Sequence, residues 1–184
     1  MILRYPKKAI QMEQNEQWGK AAEYLYDVWR INRSDINNLL TAGLEQWYYM
    51  TIYEPSTPFM DISEVDLCMR RLSEIMRFWT EHTPSEAACL ALFGYCMKVQ
   101  PFWFCLDSKK VDIDMIRAKG IGMIEEAHAL FPDDDVISAI ANDSSIDFTG
   151  FMHELNQWDN SAIQQYFLSV LGKGQSADGS HVPK

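Results

Sequence analysis

Residues 62–80 have the sequence ISEVDLCMRRLSEIMRFWT, in which apolar side chains recur at intervals of three and four positions. This spacing places the apolar side chains on one face of an α-helix, so the stretch predicts an amphipathic helix. Asp61 and Ser63 supply capping oxygens at its start, and Pro84 follows its end. The residues that share the apolar face are Val65, Cys68, Leu72, Ile75, Met76 and Trp79.

Helical spacing extends through most of the rest of the chain. The triplet Phe102-Trp103-Phe104 is too short to seed a sheet, so it is predicted to lie in a loop. We therefore expect one all-α domain over residues 1–172 and a disordered polar tail over residues 173–184. Besides 62–80, the predicted helices cover 17–32, 36–53, 84–99, 112–131, 134–142, 147–156 and 160–171.

The composition limits the environment in which the chain works. No apolar run approaches the roughly 20 residues needed to cross a bilayer. The first eight residues lack the apolar stretch of a secretory signal, so a cytoplasmic location is expected. The four cysteines form no Cys-x-x-Cys pair, which disfavours a zinc site and predicts buried, reduced thiols. We expect no metal and no cofactor.

The acidic charge is concentrated in one segment. The chain has a net charge of −10, and residues 111–160 contain eleven acidic side chains against Arg117 and Lys119. A field of this sign repels nucleic acid and anionic lipid and attracts basic protein surfaces. The expected partner is therefore another protein, and neither nucleic acid nor a membrane.

Small and large apolar residues also recur in a pattern that suggests paired helices. Ala21, Leu25 and Val28 follow one another at offsets of four and three, and Gly43 comes 10 residues after Arg33. Small residues let paired helices approach closely, and the large ones fill the groove between them. A second occurrence comprises Leu90, Phe93 and Gly94, followed by Gly120, Ile124, Ala127 and Pro132.

This pattern resembles the tetratricopeptide repeat, a family of stacked antiparallel helix pairs. The resemblance covers about half of the chain and departs from the family at several places. Arg33 replaces the helix-ending proline, while Gln46 and Met97 replace the expected aromatic residue. Extra residues also separate the paired helices near 51–61 and 100–111. The resemblance implies a right-handed stack of helix pairs, and an irregular helical bundle is the alternative.

Two surfaces are candidates for binding a partner. In the repeat register, six side chains point towards a concave groove: Leu40, Leu44, Trp47, Tyr48, Tyr95 and Lys98. The second surface is an acidic face formed by Asp112, Asp114, Glu125, Glu126, Asp133, Asp134 and Asp135. Trp103 is a further candidate anchor, although packing beneath its loop is the favoured interpretation because large exposed apolar patches are uncommon.

Catalytic motifs are missing from the sequence. His153 and Glu154 form a fragment of the deaminase pattern, but no Pro-Cys-x-x-Cys follows them. The run Asp133–Asp135 could hold a cation, but acids that cap a helix N-terminus are the favoured interpretation. An enzyme without a recognisable motif is therefore the least favoured class.

The leading functional hypothesis is a bacterial-type immunity (antitoxin-like) protein that binds and occludes a basic toxin domain. It rests on the small size, the helical scaffold and the acidity of one segment, since opposite charge speeds and strengthens such association. The alternative is a cytoplasmic secretion chaperone, which acidic tetratricopeptide-like proteins of this size also resemble. A chaperone would hold an extended client segment in the groove.

Overall fold

The fold is all-α, as predicted. The computed structural model describes residues 3–52, 62–105, 112–142 and 161–171, and these ranges contain helices without a strand. The predicted helix 147–156 and the polar tail lie outside the described residues. The helices are α1 (Lys7–Gln14), α2 (Trp18–Ile31), α3 (Ile36–Ile52), α4 (Ile62–His82), α5 (Ala87–Val99), a 3₁₀ helix (Pro101–Phe104), α6 (Ile113–Leu130), α7 (Asp135–Asn142) and α8 (Ala162–Leu171).

Three local predictions are corrected. Helix α1 was not predicted, because its apolar residues are too few to show a clear helical face in the sequence. Helix α5 begins at Ala87, after a turn that contains Pro84, so this proline is not in its first turn. The triplet Phe102–Phe104 forms most of a 3₁₀ helix, because the carbonyls of the preceding residues accept its short-range hydrogen bonds.

Consecutive helices pack in antiparallel pairs. Between α2 and α3, the Gln46 side-chain amide donates a 2.6 Å hydrogen bond to the carbonyl of Ala22. A β-carbon built on Gly19 would lie 3.0 Å from the hydroxyl of Tyr49. Early residues of α2 thus contact late residues of α3. Between α3 and α4, the Tyr49 hydroxyl donates a 2.9 Å hydrogen bond to Glu64. Late residues of α3 thus contact early residues of α4, so these two helices are also antiparallel.

Two pairs of alternate helices, α2 with α4 and α3 with α5, run parallel. Tyr26 donates a hydrogen bond to Glu74, and Trp29 contacts Phe78 with ring centroids 5.7 Å apart, so α2 and α4 point the same way. Helices α3 and α5 are likewise parallel, since successive residues of one contact successive residues of the other. The predicted pairing of helices is therefore confirmed.

Helices α3 and α5 form the centre of the molecule. Every residue from Leu39 to Trp47 is buried, and so is every residue from Cys89 to Met97. A helix that is apolar on all sides has to be covered by other elements on all sides. Gly43, predicted as a contact point, fits closely against α5: its β-carbon would lie 2.6 Å from Cε1 of Phe93.

The N-terminal segment is fastened to α3. The amide of Arg4 donates to Asn37 Oδ1, and Asn37 Nδ2 donates to the carbonyl of Arg4, both over 2.8 Å. This reciprocal pair fixes the chain just before α1 and buries Leu3 and Tyr5. Among the helices of the described ranges, none has both the length and the apolar character required to cross a membrane.

Candidate functional site

The predicted concave groove is closed by the chain itself. We call Leu44, Trp47, Tyr48 and Tyr95 the aromatic groove. Leu44 and Trp47 are 0% exposed and Tyr95 is 5% exposed, while Tyr48 is partly buried. The expectation that these side chains line an open groove is therefore wrong, and their role in binding a partner stays a prediction.

Helix α8 supplies the side chains that cover the aromatic groove. The ring of Tyr166 lies 5.3 Å from Trp47, 5.8 Å from Tyr48 and 6.4 Å from Tyr95, measured between ring centroids. Phe167 is fully buried, with its ring 5.1 Å from that of Tyr95. Tilted and edge-on contacts of this kind stabilise aromatic clusters beyond the area that they bury. Local sequence patterns did not reveal this cover, because Tyr166 and Phe167 lie more than 70 residues from Tyr95 in the chain.

Two carboxyl groups are buried beside the aromatic groove. Glu13 of α1 is 4% exposed and Glu45 of α3 is 0% exposed. Neither oxygen of Glu45 accepts a hydrogen bond from an N–H or hydroxyl donor of the described residues, and the carboxyl of Glu13 is its hydrogen-bonding neighbour. Two carboxyl groups can hydrogen-bond to each other only when one of them carries a proton.

The surroundings of the pair favour that proton. Burial raises the pKa of Glu45 well above its usual value, and the charge and hydrogen bond of Glu13 raise it further. Burial, together with the charges of Glu45 and Glu13, also raises the pKa of Tyr5 and of Tyr48. The sequence held one signal of this site that was missed: Glu45 is an acid in the middle of an apolar run.

The acidic face lies along α6 and the start of α7. All seven predicted residues are at the surface: Asp112, Asp114, Glu125, Glu126 and Asp133 are exposed, and Asp134 and Asp135 are partly buried. Eighteen residues of α-helix extend about 27 Å, so the acids are spread along a ridge and do not form one compact cluster.

Some acids of this face also cap helices. Asp112 accepts a 2.9 Å hydrogen bond from the amide of Asp114 at the start of α6, and Asp134 accepts one of 2.9 Å from the amide of Ile137 in α7. The capping interpretation of the aspartate run is therefore confirmed for Asp134. Asp114 pairs with Arg117 at 3.0 Å, whereas Glu125 and Glu126 project from the exposed side of α6.

Apolar side chains accompany these acids on the outward side of α6. Met115 is 63% exposed and Ile121 is 40% exposed. A β-carbon built on Gly122 would meet no atom within 4 Å. The acidic face thus combines negative charge with apolar surface, which are the two components of a protein interface.

Trp103 joins neither surface. It is partly buried and packs against the core, which confirms the favoured interpretation of packing. Its ring borders a cavity of about 290 Å³ between α4 and α6, where Arg77 and Lys119 are also found. Phe102, its neighbour, is 54% exposed.

Metal ligands are not grouped in the described part of the chain. Within those ranges, no three His, Cys, Asp or Glu side chains lie close enough together to hold a metal ion. His82 is in the last turn of α4, where its Nδ1 lies 2.9 Å from the carbonyl oxygen of Phe78. His153 and Glu154 lie outside the described residues.

Comparison with known proteins provides no relative. No family model, no curated protein and no solved structure matches this chain. The resemblance to the tetratricopeptide repeat therefore stays a prediction from the residues, and the function has to be argued from the surfaces described above.

Proposed function

We propose that the chain is a protein-binding module that uses its acidic face to occlude a basic surface of a partner protein, in the manner of an immunity protein acting on a toxin domain. The observation that carries the proposal is the position of Glu125 and Glu126 beside exposed apolar side chains on the outward side of α6.

Charge and apolar surface contribute different parts of such binding. Acids spread along one ridge attract a basic partner over a distance of about one Debye length, roughly 8–10 Å in physiological salt, and speed its association. Exposed apolar side chains such as Met115 then stabilise the complex, because binding removes their apolar surface from water. Since exposed acids need no burial in the free chain, the face costs the fold little stability.

The two candidate surfaces differ in their accessibility to a partner. A secretion chaperone would hold its client among Trp47, Tyr48 and Tyr95, and a client would have to displace α8 to reach them. The acidic face is accessible without any rearrangement. This difference favours the inhibitor over the chaperone.

The thiols support a cytoplasmic location, which we include in the proposal. Cys68, Cys89, Cys96 and Cys105 are all free. Free thiols persist in reducing compartments, whereas secreted proteins of this size commonly pair theirs.

Affinity capture from native lysate tests the proposal. Wild-type chain is expected to recover one stoichiometric basic protein, and the double variant Glu125→Lys, Glu126→Lys to lose it. Asp27→Lys with Glu81→Lys is the matched control, because these two acids are exposed on α2 and α4, away from the acidic face. The control variant should retain the partner.

Co-expression then tests the inhibitory role. The captured partner is expected to be toxic alone and harmless beside the wild-type chain, with toxicity restored by the double variant. The proposal fails if no basic protein is captured, or if the double variant and the control behave alike.

A further inference from the structure

The cavity of about 290 Å³ beside the 3₁₀ helix is formed by side chains of four elements. Helix α4, the end of α5, the 3₁₀ helix and α6 each contribute to its lining. Ligand pockets in proteins are mostly apolar and start at about 300 Å³, so this cavity has room for one small organic molecule. The apolar side chains of its walls are Leu72, Met76, Met97, Trp103 and Phe104.

The charged side chains of this cavity are both cationic. Arg77 of α4 and Lys119 of α6 line it, and none of the acids in the described ranges does. Two other cavities of similar size in the described part of the chain include acids, among them Glu64 in one and Glu86 in the other. In a chain with a net charge of −10, a cavity lined by cations without an acid reverses the general sign of the charge.

Both cations are free to bind a ligand. Within the described residues neither Arg77 nor Lys119 forms an ion pair. Glu74, three residues before Arg77, pairs with Arg33 at 2.8 Å. The residues three and four positions from Lys119 on α6 are all uncharged. The guanidinium and the ammonium group therefore keep their N–H donors available for an outside acceptor.

The lining is complementary to a carboxylate on an apolar body. The planar guanidinium of Arg77 can hold a carboxylate by two parallel hydrogen bonds, and the ammonium group of Lys119 adds a second positive charge. Apolar walls such as Met97 take up the body of the ligand, and they also strengthen the field of the cations because their dielectric is low. A bare inorganic anion would leave these walls unused, and a neutral molecule would leave the cations without a counter-charge.

We propose that this cavity is a binding site for a small organic anion, namely a carboxylate carried by a compact aromatic or branched apolar group. Arg77 and Lys119 bind the carboxylate, and the apolar walls contact the rest of the molecule. The site goes beyond the function proposed above and is separate from the acidic face, since no residue of that face lines the cavity.

Calorimetric titration of the full chain with benzoate tests the proposal. We expect saturable binding of one benzoate, with a dissociation constant in the millimolar range or tighter, as is usual for a ligand of few atoms. Three comparison compounds each lack one feature: acetate and inorganic phosphate lack the apolar body, and benzyl alcohol lacks the charge. Each should bind about tenfold more weakly or less. Equal binding of any of the three, or no binding of benzoate at millimolar concentration, overturns the proposal.

Removal of both cations tests their role. Arg77→Met with Lys119→Met keeps side chains of similar length, and since both residues are exposed and unpaired, the fold should be unaffected. Benzoate binding is expected to weaken about tenfold or more. The matched control is Lys7→Met with Arg70→Met, which changes the net charge equally at exposed positions outside the cavity. The control should bind benzoate like wild type, and an equal loss in both variants overturns the proposal.

Filling the cavity tests whether its volume is needed. Ser73 of α4 is partly buried and lines the cavity, so Ser73→Phe would put a ring into the space and leave both cations in place. This variant should lose benzoate binding. Unchanged affinity would place the anion on the outer surface and overturn the proposal, and the double variant without the cations gives its own result whether or not Ser73→Phe folds.

Discussion

Gly94 of α5 and Gly120 of α6 face each other at backbone distance. A β-carbon on Gly120 would lie 2.6 Å from the carbonyl oxygen of Gly94, and one on Gly94 would lie 2.8 Å from the carbonyl oxygen of Gly120. These spacings are too short for any side chain and involve backbone atoms that cannot turn away. The reciprocal contact sets how closely the second helix pair packs.

Alanine at two neighbouring glycines of α6 should have opposite effects. Gly120→Ala is expected to lower the free energy of unfolding by about 2 kcal/mol or more, because α5 and α6 have to separate. Gly122→Ala is expected to raise it by about 0.5–1 kcal/mol, since its β-carbon enters open space and alanine favours the helix. Urea denaturation measures both, and effects of the same sign would contradict the contact described here.

The buried carboxyl pair should make stability depend on pH. The pKa of Glu45 is raised by burial and by Glu13, so the folded state holds a proton that the unfolded state releases near its ordinary pKa of about 4.3. The contribution of Glu45 is therefore most favourable below that pH and is lost as the pH rises towards the pKa of the folded state.

Glu45→Gln removes this dependence. The amide can donate to Glu13 without a titrating proton, so the variant should be more stable than wild type at pH 7 and gain little at pH 4. The measurement is the difference in free energy of unfolding between the two proteins as a function of pH. A difference that is constant between pH 4 and pH 8 would show that the pair is not titrating as described.

The residue that follows α1 has a strained backbone conformation, and substitution by glycine should relieve the strain. Glu16 has a φ of 58°, and the amides of Glu16 and Gln17 bond to the carbonyls of Glu13 and Met12 over 2.9 and 2.8 Å. This is the Schellman arrangement, in which glycine is favoured at the left-handed position. Glu16→Gly should therefore stabilise the chain by up to about 1 kcal/mol, measured by thermal denaturation.

Glycine inside the same helix provides the control. Gln14→Gly should destabilise the chain by about 0.5–1 kcal/mol, because Gln14 lies within the helical part of α1. Equal changes for the two variants would indicate that Glu16 is not held in the left-handed conformation.

The thiols should differ in reactivity. Burial raises the pKa of Cys68 to about 12 and that of Cys96 well above its usual value, so neither forms the reactive thiolate at neutral pH. Cys105 is only partly buried. Alkylation of the native protein at pH 8 is expected to modify Cys105 first, and the other thiols only after unfolding. Fast labelling of Cys96, read by mass spectrometry of peptides, would contradict the burial of α5.

The fold was largely predictable because its signals are local. Helical spacing located α4 and α6, and the small residues Gly43 and Gly94 indicated where helices contact one another. Helix α1 escaped because a short helix with few apolar residues depends on its neighbours for stability. The start of α5 was predicted at Pro84, because proline is favoured in the first turn of a helix. The structure places Pro84 in a turn that precedes α5.

The two candidate sites also differ in how far the sequence predicts them. The acidic face was predictable, since charged residues on the solvent side of a helix depend only on its own periodicity. The aromatic groove was predicted to be a surface, but α8 covers it. The prediction failed because the helical register of α3 does not reveal which distant segment packs on it. Tyr166 is more than 100 residues from Tyr48 in sequence, and no local pattern relates the two.

The sequence by itself determined that this protein is helical, that its helices pair through small residues, and that its excess negative charge lies in residues 111–160. Each of these follows from periodicity or composition within one or two helices. Only the tertiary structure decided that α8 closes the groove and that Glu13 and Glu45 lie buried beside it, because burial depends on contacts between segments distant in the chain. Glu45 of α3 is buried beside Glu13 of α1, and burial raises the pKa of its carboxyl.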